Sequence, residues 1–373
     1  MLSSFHQYLY ESKCSSASPL SCDKIHIVLG NESCDLDSAV CALLYAFYLT
    51  TIGEQKVVPV LNIPAKHLPI KTEVVSFLQD NGVALDSLVF RDSLPLEELC
   101  QSSKLKATLV DHHVLANKDT FLRHCVVEII DHRPISPSEK WSDLERGTTM
   151  DIVGSCVTHV AKKMLASHPD LISKNRDIAN LIYGTILLDT ACLSPQANRA
   201  TPADHDVIQQ LKTFHPDLQS ESSVFESLLK AKSDISHLTP SQLLVKDLKI
   251  TKHGIPIVGL PILVQDFVTN NPDLESTLNT FLAEHKASTL VLMGQTIRTG
   301  NIARDLGLYS TMPDRSTLDT IFNVLSTNPT PVLNMVALSS GENVKLRLFQ
   351  CNNVQVSRKQ VLPLIEKAFD SMK

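Results

Sequence analysis

The chain has 373 residues and a hydrophobic content of 43%, which is enough for two globular domains with sizeable cores. Its 40 acidic residues exceed its 34 basic residues, so the formal net charge is −6. That balance provides no overall basic field that would favour nucleic acid or a membrane surface, and an anionic ligand would need local cations or metal ions.

Short runs rich in β-branched residues alternate with segments of helical periodicity from residue 25 onward. Five of these runs are predicted strands: Ile25–Leu29, Val57–Ile63, Leu88–Arg91, Thr108–Val110 and Val126–Ile130. Between the first two strands, Ala39–Leu49 is apolar on nearly all sides, which is typical of a helix packed between a sheet and other elements. Strands that alternate with helices predict an α/β fold with a mostly parallel sheet flanked by helices.

A second set of elements follows a change in composition. Residues 194–223 are rich in Pro, Asn, Asp and Ser with little sustained periodicity, so we place a linker at residues 201–220. The elements predicted beyond it are a helix, four strands and a final helix: Phe225–Lys232, Ile255–Leu263, Ser288–Met293, Val332–Leu338, Lys345–Phe349 and Val361–Met372. The predicted organisation is an N-terminal extension at 1–23, an α/β domain at 24–200 and a smaller α/β domain at 221–373.

The cysteines and the N-terminal sequence predict the compartment. The nine cysteines are scattered without Cys-x-x-Cys pairs, which argues against a zinc ribbon or a disulfide framework and favours a reducing environment. The first 22 residues lack a cationic segment followed by an apolar core. No apolar run approaches the ~20 residues of a membrane span. We therefore expect a cytoplasmic protein, present also in the nucleus, with no membrane insertion.

Acidic side chains follow three of the predicted strands directly. Asp35 and Asp37 come after the first strand, Asp111 after the fourth and Asp131 after the fifth. In a parallel sheet, ligands bind beyond the carboxyl ends of the strands, so we expect these carboxylates to converge there. Asp189 ends the apolar stripe of a predicted helix, either as a ligand pointing into a buried cluster or as a helix-end residue turned to solvent.

Several carboxylates combined with one or two imidazoles indicate metal chemistry. Such a set suits Mg²⁺ or Mn²⁺ better than Zn²⁺, which usually takes nitrogen and sulfur ligands. Two ions about 3.5–4 Å apart can activate a water molecule and hold the oxygens of a phosphoryl group in transfer. The pattern therefore predicts a metal-dependent phosphohydrolase, whereas Asp111-His112-His113 taken alone is more typical of a polar loop than of a metal site.

Five ordered motifs resemble those of the DHH phosphoesterase superfamily. Four lie in the first domain: Gly30-Asn-Glu-Ser-Cys-Asp-Leu-Asp-Ser38, Leu109-Val-Asp-His-His113, Ile130-Asp-His-Arg-Pro134 and Gly184-Thr-Ile-Leu-Leu-Asp189. The fifth, Val356-Ser-Arg-Lys-Gln-Val-Leu-Pro363, resembles the signature of the DHHA2 domain, which family II inorganic pyrophosphatases share with cytosolic exopolyphosphatases. The similarity spans about residues 24–373 and is strongest to the prune family. It implies a DHH metal-binding domain, a DHHA2 domain that clamps substrate, and an active site in the cleft between them.

The resemblance also implies two divalent ions and their ligands. Asp111 corresponds to the carboxylate that bridges both ions. The other implied ligands are Asn31 and Asp35 for the first ion and, for the second ion, Asp37, His132 and Asp189. The literal Asp-His-His triplet is then the family's second motif. His112 and His113 are left either as residues that support the metal ligands or as candidates for contact with substrate, and direct metal ligation by either is the less favoured alternative.

Two residues depart from the family's pattern. Asn31 stands where the pyrophosphatases have a ligating histidine, so the first ion would have mostly oxygen ligands, which favours Mg²⁺ over Mn²⁺. Arg133 replaces a phosphate-contacting histidine and is a permanently charged bidentate donor. The implied catalytic residues are Asp111, His132 and Arg133. In the second domain, Lys249, Arg358 and Lys359 match the family's phosphate-binding cations, although without the resemblance they would be interpreted as a solvated face.

We therefore expect an exopolyphosphatase that releases terminal phosphate from short inorganic polyphosphates through metal-activated water. The resemblance adds hydrolysis of cyclic nucleotides, yet aromatic residues make up only 5% of the chain and none lies in the motifs to stack on a purine. A second hypothesis is a low-activity scaffold that binds nucleoside diphosphate kinase and signalling proteins. A nuclease is disfavoured because the chain has no basic stripe.

Overall fold

The computed structural model describes residues 4–16, 24–136, 139–298, 301–327, 332–338 and 345–370. They form two compact units, Met1–Asp234 and Ile235–Lys373. Each unit has its own sheet with helices packed on it. The predicted α/β class is confirmed.

The sheet of the first unit is parallel throughout. Its strands among the described residues are β1 (Ile25–Leu29), β2 (Val57–Val60), β3 (Leu105–Val110), β4 (Val126–Ile130) and β5 (Gly147–Thr149). They are arranged in the order β2-β1-β3-β4-β5, and each neighbouring pair is parallel. Every residue of β1 and β2 is buried, as expected for strands covered on both faces. The carboxyl ends of all these strands lie at one edge of the sheet.

Helices cover both faces of this sheet. Those in the described part of the first unit are α1 (Ser4–Ser15), α2 (Leu36–Thr51), α3 (Thr72–Asp80), α4 (Leu96–Gln101), α5 (Cys156–Ser167), α6 (Asp170–Ser173), α7 (Arg176–Asp189), α8 (Pro202–Phe214) and α9 (Glu221–Ser233). Alternate side chains of β1 pack on opposite faces of the sheet. Val28 belongs to the hydrophobic cluster of α2, α5 and α7. Ile27 and Leu29 belong to the cluster of α4 and the 3₁₀ segment Asn117–Cys125.

The first unit is longer at both ends than the predicted domain of residues 24–200. In α1, Phe5 and Leu9 are buried in the core, and the Tyr8 hydroxyl donates to the Val57 carbonyl at 3.0 Å. In the segment predicted as a linker, α8 buries Val207 and Leu211 in the same core. Residues 207–214 have helical periodicity, but the polar composition of the surrounding segment placed the predicted boundary too early.

The second unit contains a mixed sheet and a second set of helices. Its strands are β6 (Leu248–Ile250), β7 (Pro256–Leu260), β8 (Thr289–Arg298), β9 (Asn301–Ser310), β10 (Met335–Ala337) and β11 (Leu346–Cys351). The order is β10-β11-β9-β8-β7-β6, with β7 and β8 parallel and the other pairs antiparallel. The helices are α10 (Pro240–Lys246), α11 (Val264–Thr269), α12 (Leu274–Glu284), α13 (Ser316–Thr327) and α14 (Arg358–Asp370). On β7, Ile257 packs with the cluster of α13 and α14, and Val258 with that of α10 to α12.

The strand pattern differs from the prediction at Leu88–Arg91 and at β5, β6 and β9, which were not predicted. Leu88–Arg91 is not a strand, because only a single bridge joins Phe90 to Leu61, and a short buried apolar run does not by itself distinguish a strand from irregular chain. Strand β9 was missed because Asp305 and Gly307 lower its apparent strand propensity. The Asp305 carboxylate instead accepts the first N–H groups of α11, at 2.7 and 2.9 Å.

Within the residues described above, no helix combines the length and apolar character needed to cross a bilayer. The end of the predicted final helix at Met372 lies outside the described residues.

Candidate active site

A polar cavity of about 370 Å³ lies at the carboxyl edge of the parallel sheet. It belongs entirely to the first unit. Four acidic residues, one histidine and two arginines line it together with three smaller residues: Asp35, Asp37, Asp111, Asp189, His132, Arg133, Arg199, Pro134, Val153 and Gly154. The carboxylates predicted from strands β1 and β3 and from helix α7 therefore share one cavity.

The connection from β1 to α2 places the first acid. The position of Gly30 needs a glycine, because an added Cβ would lie 2.3 Å from Ser38 Oγ. That hydroxyl oxygen accepts the N–H of Asn31 at 2.7 Å. Asp35 is the N-cap of α2 and accepts the N–H of Ser38 at 3.2 Å, a usual role for aspartate at this position. Its carboxylate is half-buried at the cavity wall.

Asp37 lies in the first turn of α2 and is held by the start of another helix. Its carboxylate accepts the N–H groups of Cys156 at 2.6 Å and Val157 at 2.9 Å, which begin α5. The N-terminus of a helix carries partial positive charge and unpaired N–H groups, so it stabilises an ionised carboxylate. This contact fixes a negative charge that is only 3% exposed.

Asp111 follows β3 directly and lies at the centre of the polar contacts. Its φ of 60° is in the left-handed region, where non-glycine residues are strained and are often functional. Its Oδ2 accepts from Asn31 Nδ2 at 2.6 Å, and its Oδ1 lies 3.3 Å from His132 Nε2 and 3.4 Å from Arg133 Nη2. Burial, reinforced by the charge of Asp37, raises the pKa of Asp111.

His132 presents one ring nitrogen to the acids. Its Nδ1 donates to the carbonyl of Val153 at 3.0 Å, which leaves Nε2 3.3 Å from Asp111 Oδ1 and 3.9 Å from Asp37 Oδ2. Burial opposes protonation of this imidazole, but the hydrogen bond that protonated Nε2 donates to Asp111 and the charge of Asp37 outweigh it, so the pKa of His132 rises to about 9. A backbone partner for the second nitrogen is typical of a metal-ligating histidine.

The donor set fits a divalent cation. One ligand atom from each of Asp37, Asp111 and His132 lies within 4.8 Å of the others. Two buried carboxylates that repel one another would be neutralised by an ion with two positive charges, and two oxygens with one imidazole suit Mg²⁺ or Mn²⁺. Asp189 borders the same cavity, with Oδ2 accepting the Ser155 hydroxyl at 2.7 Å. Burial, followed by the charge of Asp37, raises the pKa of Asp189 as well.

The ligands predicted for the first ion are less well arranged. The Asn31 side-chain oxygen accepts the N–H and hydroxyl of Ser33 at 2.9 and 2.7 Å and the N–H of Cys34 at 3.1 Å. Its nitrogen donates to Asp111, so the amide already uses both of its ends. The structure therefore does not present Asn31 as a metal ligand, and Asp35 and Asp111 are the remaining members of that set.

His112 and His113 are not brought to the cavity. His113 Nε2 accepts the N–H of Ser136 at 2.9 Å, so its Nδ1 donates to Asp131 Oδ2, at 2.5 Å. His112 is buried, with Nδ1 donating to the Val110 carbonyl at 2.9 Å, and burial lowers its pKa. Both ring nitrogens of His113 are therefore bonded within the protein, whereas His112 Nε2 is buried without a hydrogen-bond partner. Neither ring lines the cavity, and their contact with substrate stays a prediction.

Asp131 shapes the loop that carries two cavity residues. It is fully buried, and its Oδ1 accepts the N–H of His132 at 2.7 Å and that of Arg133 at 3.3 Å. Together with the contact from His113, these bonds hold the loop after β4 in one conformation. Asp131 thus positions the loop and is absent from the cavity wall.

Arg199 was missed by the sequence reasoning. It lines the cavity with Arg133, and its Nη1 lies 3.4 Å from the carbonyl oxygen of Asp189. It lies in an irregular, polar segment that no motif covers, so only its position ten residues after Asp189 could have drawn attention to it. Two arginines beside a cluster of acids give the cavity both a cation site and donors for phosphate oxygens.

The cations predicted in the second domain lie in the second unit. Lys249 is exposed on β6, and Arg358 and Lys359 begin α14. The guanidinium of Arg358 donates to the backbone carbonyl and the carboxylate of Asp247. This contact packs the start of α14 beside the strand that carries Lys249, whereas Lys359 remains exposed.

Comparison with known proteins agrees with the motifs. Residues 226–368 match the DHHA2 domain family. The human protein named exopolyphosphatase PRUNE1 is 38% identical over 358 residues, which cover 94% of this chain and 77% of the human one. A putative exopolyphosphatase of Schizosaccharomyces pombe is 27% identical, with coverage of 93% and 90%. A probable manganese-dependent inorganic pyrophosphatase of Brevibacillus brevis is 26% identical, with coverage of 72% and 80%.

These similarities confirm the relationship predicted from the five motifs. The cavity's acids and histidine come from four of those motifs, and the match to the human protein extends over both units. The chain therefore belongs to the prune family of metal-dependent phosphohydrolases and carries a DHHA2 domain.

Proposed function

We propose that this chain is an exopolyphosphatase that removes terminal phosphate from short inorganic polyphosphates. The observation that carries the proposal is the meeting of Asp37, Asp111 and His132 in one cavity, with ligand atoms within 4.8 Å of one another, beside Arg133 and Arg199. Such a cavity can bind a divalent cation and an anionic phosphoryl group side by side. The names of the human and fission yeast relatives, both exopolyphosphatases, support the same reaction class.

The metal ions would be held by the cavity's acids and histidine. Asp37, Asp111, His132 and Asp189 are the residues that would hold one ion, and Asp111 with Asp35 would hold a second. A divalent ion supplies positive charge that polarises a phosphoryl oxygen and lowers the pKa of a bound water. The protein's contribution to this chemistry is a set of carboxylates whose positions are fixed by backbone N–H groups before any ion binds.

The arginines have a separate role in binding the phosphate chain. Arg133 and Arg199 are permanently charged and can each donate two parallel hydrogen bonds to phosphate oxygens. Neither can serve as a general acid near neutral pH, so the proton needed by the leaving phosphate has to come from solvent or from another group. In the second unit, Lys249, Arg358 and Lys359 are proposed to bind further phosphates of the chain.

We further propose that the site takes two ions and prefers Mg²⁺. Position 31 is an asparagine and supplies no imidazole, and fewer nitrogen ligands favour the harder ion. Replacing Asn31 with histidine should tighten Mn²⁺ binding, which isothermal titration calorimetry can measure in ion-free protein. If Mn²⁺ affinity is unchanged in Asn31→His, residue 31 does not contribute to an ion site.

Two other proposals receive less support from the cavity. None of its lining residues is aromatic, so it offers no stacking surface for the base of a cyclic nucleotide. Binding of nucleoside diphosphate kinase and signalling proteins remains a prediction based on the resemblance. Location in the cytoplasm and nucleus also remains a prediction.

The experiment that tests the function compares four substrates. Phosphate release from tripolyphosphate, tetrapolyphosphate and pyrophosphate, and hydrolysis of cyclic AMP, should be measured with Mg²⁺ and with Mn²⁺. We expect the polyphosphates to be the best substrates and Asp111→Ala to abolish turnover. If the unmodified chain is no faster than Asp111→Ala on every substrate, the chain is not an enzyme of this class and the scaffold hypothesis replaces it.

A further inference from the structure

A second group of metal-binding side chains lies in the first unit, outside the acidic cavity. Cys100 is in α4, and His124 and Cys125 end the 3₁₀ segment Asn117–Cys125 that leads into β4. One ligand atom from each of the three lies within 4.8 Å of the others. None of them lines the cavity described above.

The surroundings of this cluster are apolar on one side and open on the other. Cys100 and Cys125 are 5% and 6% exposed and belong to the buried cluster that includes Leu99 and Leu122, whereas the side chain of His124 is exposed. Cys100 Sγ lies 3.3 Å from His124 Nε2. Packing of α4 against the 3₁₀ segment thus brings two sulfurs together and places an imidazole at their solvent side.

The two cysteines are joined as a disulfide in the structure, with Cα atoms 6.5 Å apart. Reduction of that bond takes up two electrons and two protons and gives two thiols, while a dithiol reductant such as reduced thioredoxin is oxidised to its own disulfide. The reduced pair would be left next to the imidazole. A thiol beside a histidine forms its thiolate more readily, because the imidazolium stabilises the negative charge.

We propose that in the reduced protein Cys100, His124 and Cys125 bind one Zn²⁺ ion. Two thiolates and an imidazole are ligands that Zn²⁺ prefers, and they differ from the oxygen-rich set of the acidic cavity. Binding releases both thiol protons, so a complex of Zn²⁺ with two thiolates and a neutral imidazole has no net charge. A neutral complex is compatible with the apolar side of the cluster.

The fourth position of this zinc ion faces solvent. Only three protein ligands are present in the cluster, and the exposed histidine marks the open side, so a water molecule completes the tetrahedral shell. The oxidised and zinc-bound forms exclude one another because both use the same two sulfurs. The zinc site therefore exists only while the environment keeps the two cysteines reduced.

Cobalt provides a direct test, because Co²⁺ occupies zinc sites and shows a thiolate-to-metal absorption band only when sulfur is a ligand. The full chain, reduced with a phosphine under anaerobic conditions, should show this band with one equivalent of Co²⁺, and Zn²⁺ should remove it. Cys100→Ser and Cys125→Ser should lose the band. His124→Ala, at an exposed position, should weaken Zn²⁺ binding about tenfold or more.

Two control variants separate this site from the rest of the molecule. Cys14→Ser changes an exposed cysteine elsewhere and should keep the band, and Asp111→Ala should also keep it because the acidic cavity supplies no sulfur. Absence of the band in the reduced full chain would overturn the proposal whether or not any variant folds. A band that survives both Cys100→Ser and Cys125→Ser would also overturn it, since the sulfur ligands would then be others.

Discussion

The acidic cavity of the first unit and the cations of the second unit hold their charges in opposite ways. Asp37 and Asp111 are 3% and 1% exposed and are tied to N–H groups or to neighbouring side chains. Lys249 and Lys359 are exposed. A metal ion requires ligands at fixed distances, whereas a flexible phosphate chain can be bound by mobile cations. Substitutions in the two regions should therefore differ in the size of their effect on activity. They should also differ in the kinetic constant that they change.

The buried acids are stable only because other groups compensate for their burial. Taking a carboxylate out of water disfavours its charged form, and the raised pKa values of Asp111 and Asp189 express this cost. The N-terminus of α5 offsets part of the cost of burying Asp37, and the guanidinium of Arg133 offsets part of the cost of burying Asp111. The exposed lysines carry no such cost, and their attraction to an anion is screened by salt.

The largest effect is expected for Asp37→Asn. An amide can accept from only one end, so it would lose a hydrogen bond from the start of α5 and reduce the charge that holds an ion. We expect kcat to fall on the order of 10³-fold or more and the free energy of unfolding to decrease by about 1–3 kcal/mol. Phosphate release and chemical denaturation measure the two effects.

The matched control is Asp206→Asn, an exposed aspartate on α8. It removes the same charge without touching the cavity, and both measurements should stay within error of the unmodified chain. Activity of Asp37→Asn within tenfold of the control would contradict the role given to Asp37 in ion binding.

A smaller loss is expected for the two arginines of the cavity. Arg133→Ala and Arg199→Ala each remove a charged donor to phosphate oxygens, and we expect kcat/KM to fall about 10- to 100-fold in each case. Arg133→Lys should recover only part of the loss, because lysine lacks the bidentate geometry. Arg176→Ala, which breaks a surface ion pair with Asp217, is the control. An Arg199 variant as active as this control would remove Arg199 from the site.

Substitutions of the second unit's cations should change KM. Lys359→Ala and Arg358→Ala should raise KM for tetrapolyphosphate about three- to tenfold with little change in kcat, and the difference should shrink at high salt. Arg358 also pairs with Asp247, but this partly exposed pair should contribute no more than about 1 kcal/mol to stability. Lys367→Ala, exposed on the same helix, should leave KM unchanged. An unaltered KM in both Lys359→Ala and Arg358→Ala would show that these two cations do not bind substrate.

Metal binding by the acidic cavity should also depend on pH. In ion-free protein the pKa of His132 is raised to about 9, and those of Asp111 and Asp189 are also raised, so protons compete with the metal. Affinity for Mg²⁺ should therefore increase with pH up to about 9, by at most about tenfold per pH unit for each proton released. Calorimetry in two buffers of different ionisation enthalpy counts those protons. Binding that releases no proton would show that these groups are not the ligands.

The convergence of the acids on one cavity could be predicted from the sequence because parallel strands share one carboxyl edge. Once Asp35, Asp37 and Asp111 were assigned to the ends of such strands, their convergence followed from the topology. The side chains of His112 and His113 could not be assigned in the same way. Neighbouring residues at a strand end point in different directions, and only the backbone and Asp131 contacts reveal where these rings lie.

The remaining misses have different physical causes. The burial of helix α1 and the position of Arg199 at the cavity depend on tertiary contacts between segments far apart in the chain. No local sequence pattern predicts either of them. Cys100 and Cys125 are separated by 25 residues and fit no metal-binding spacing. Their proximity to His124 follows from the packing of α4 on a 3₁₀ segment, which the sequence did not predict.

The chain segment between Asp189 and Arg199 should not tolerate insertions or deletions. After α7, the residues Ala191, Cys192 and Leu193 all have φ between 51° and 61°, and the N–H of Cys192 donates to the Leu187 carbonyl at 2.7 Å. This tight coil fixes the offset between a carboxylate and a guanidinium that face the same cavity. Surface loops usually tolerate insertions, but one added residue here would separate the two charges. We therefore expect this polar stretch to be as intolerant of insertions as the strands of the sheet.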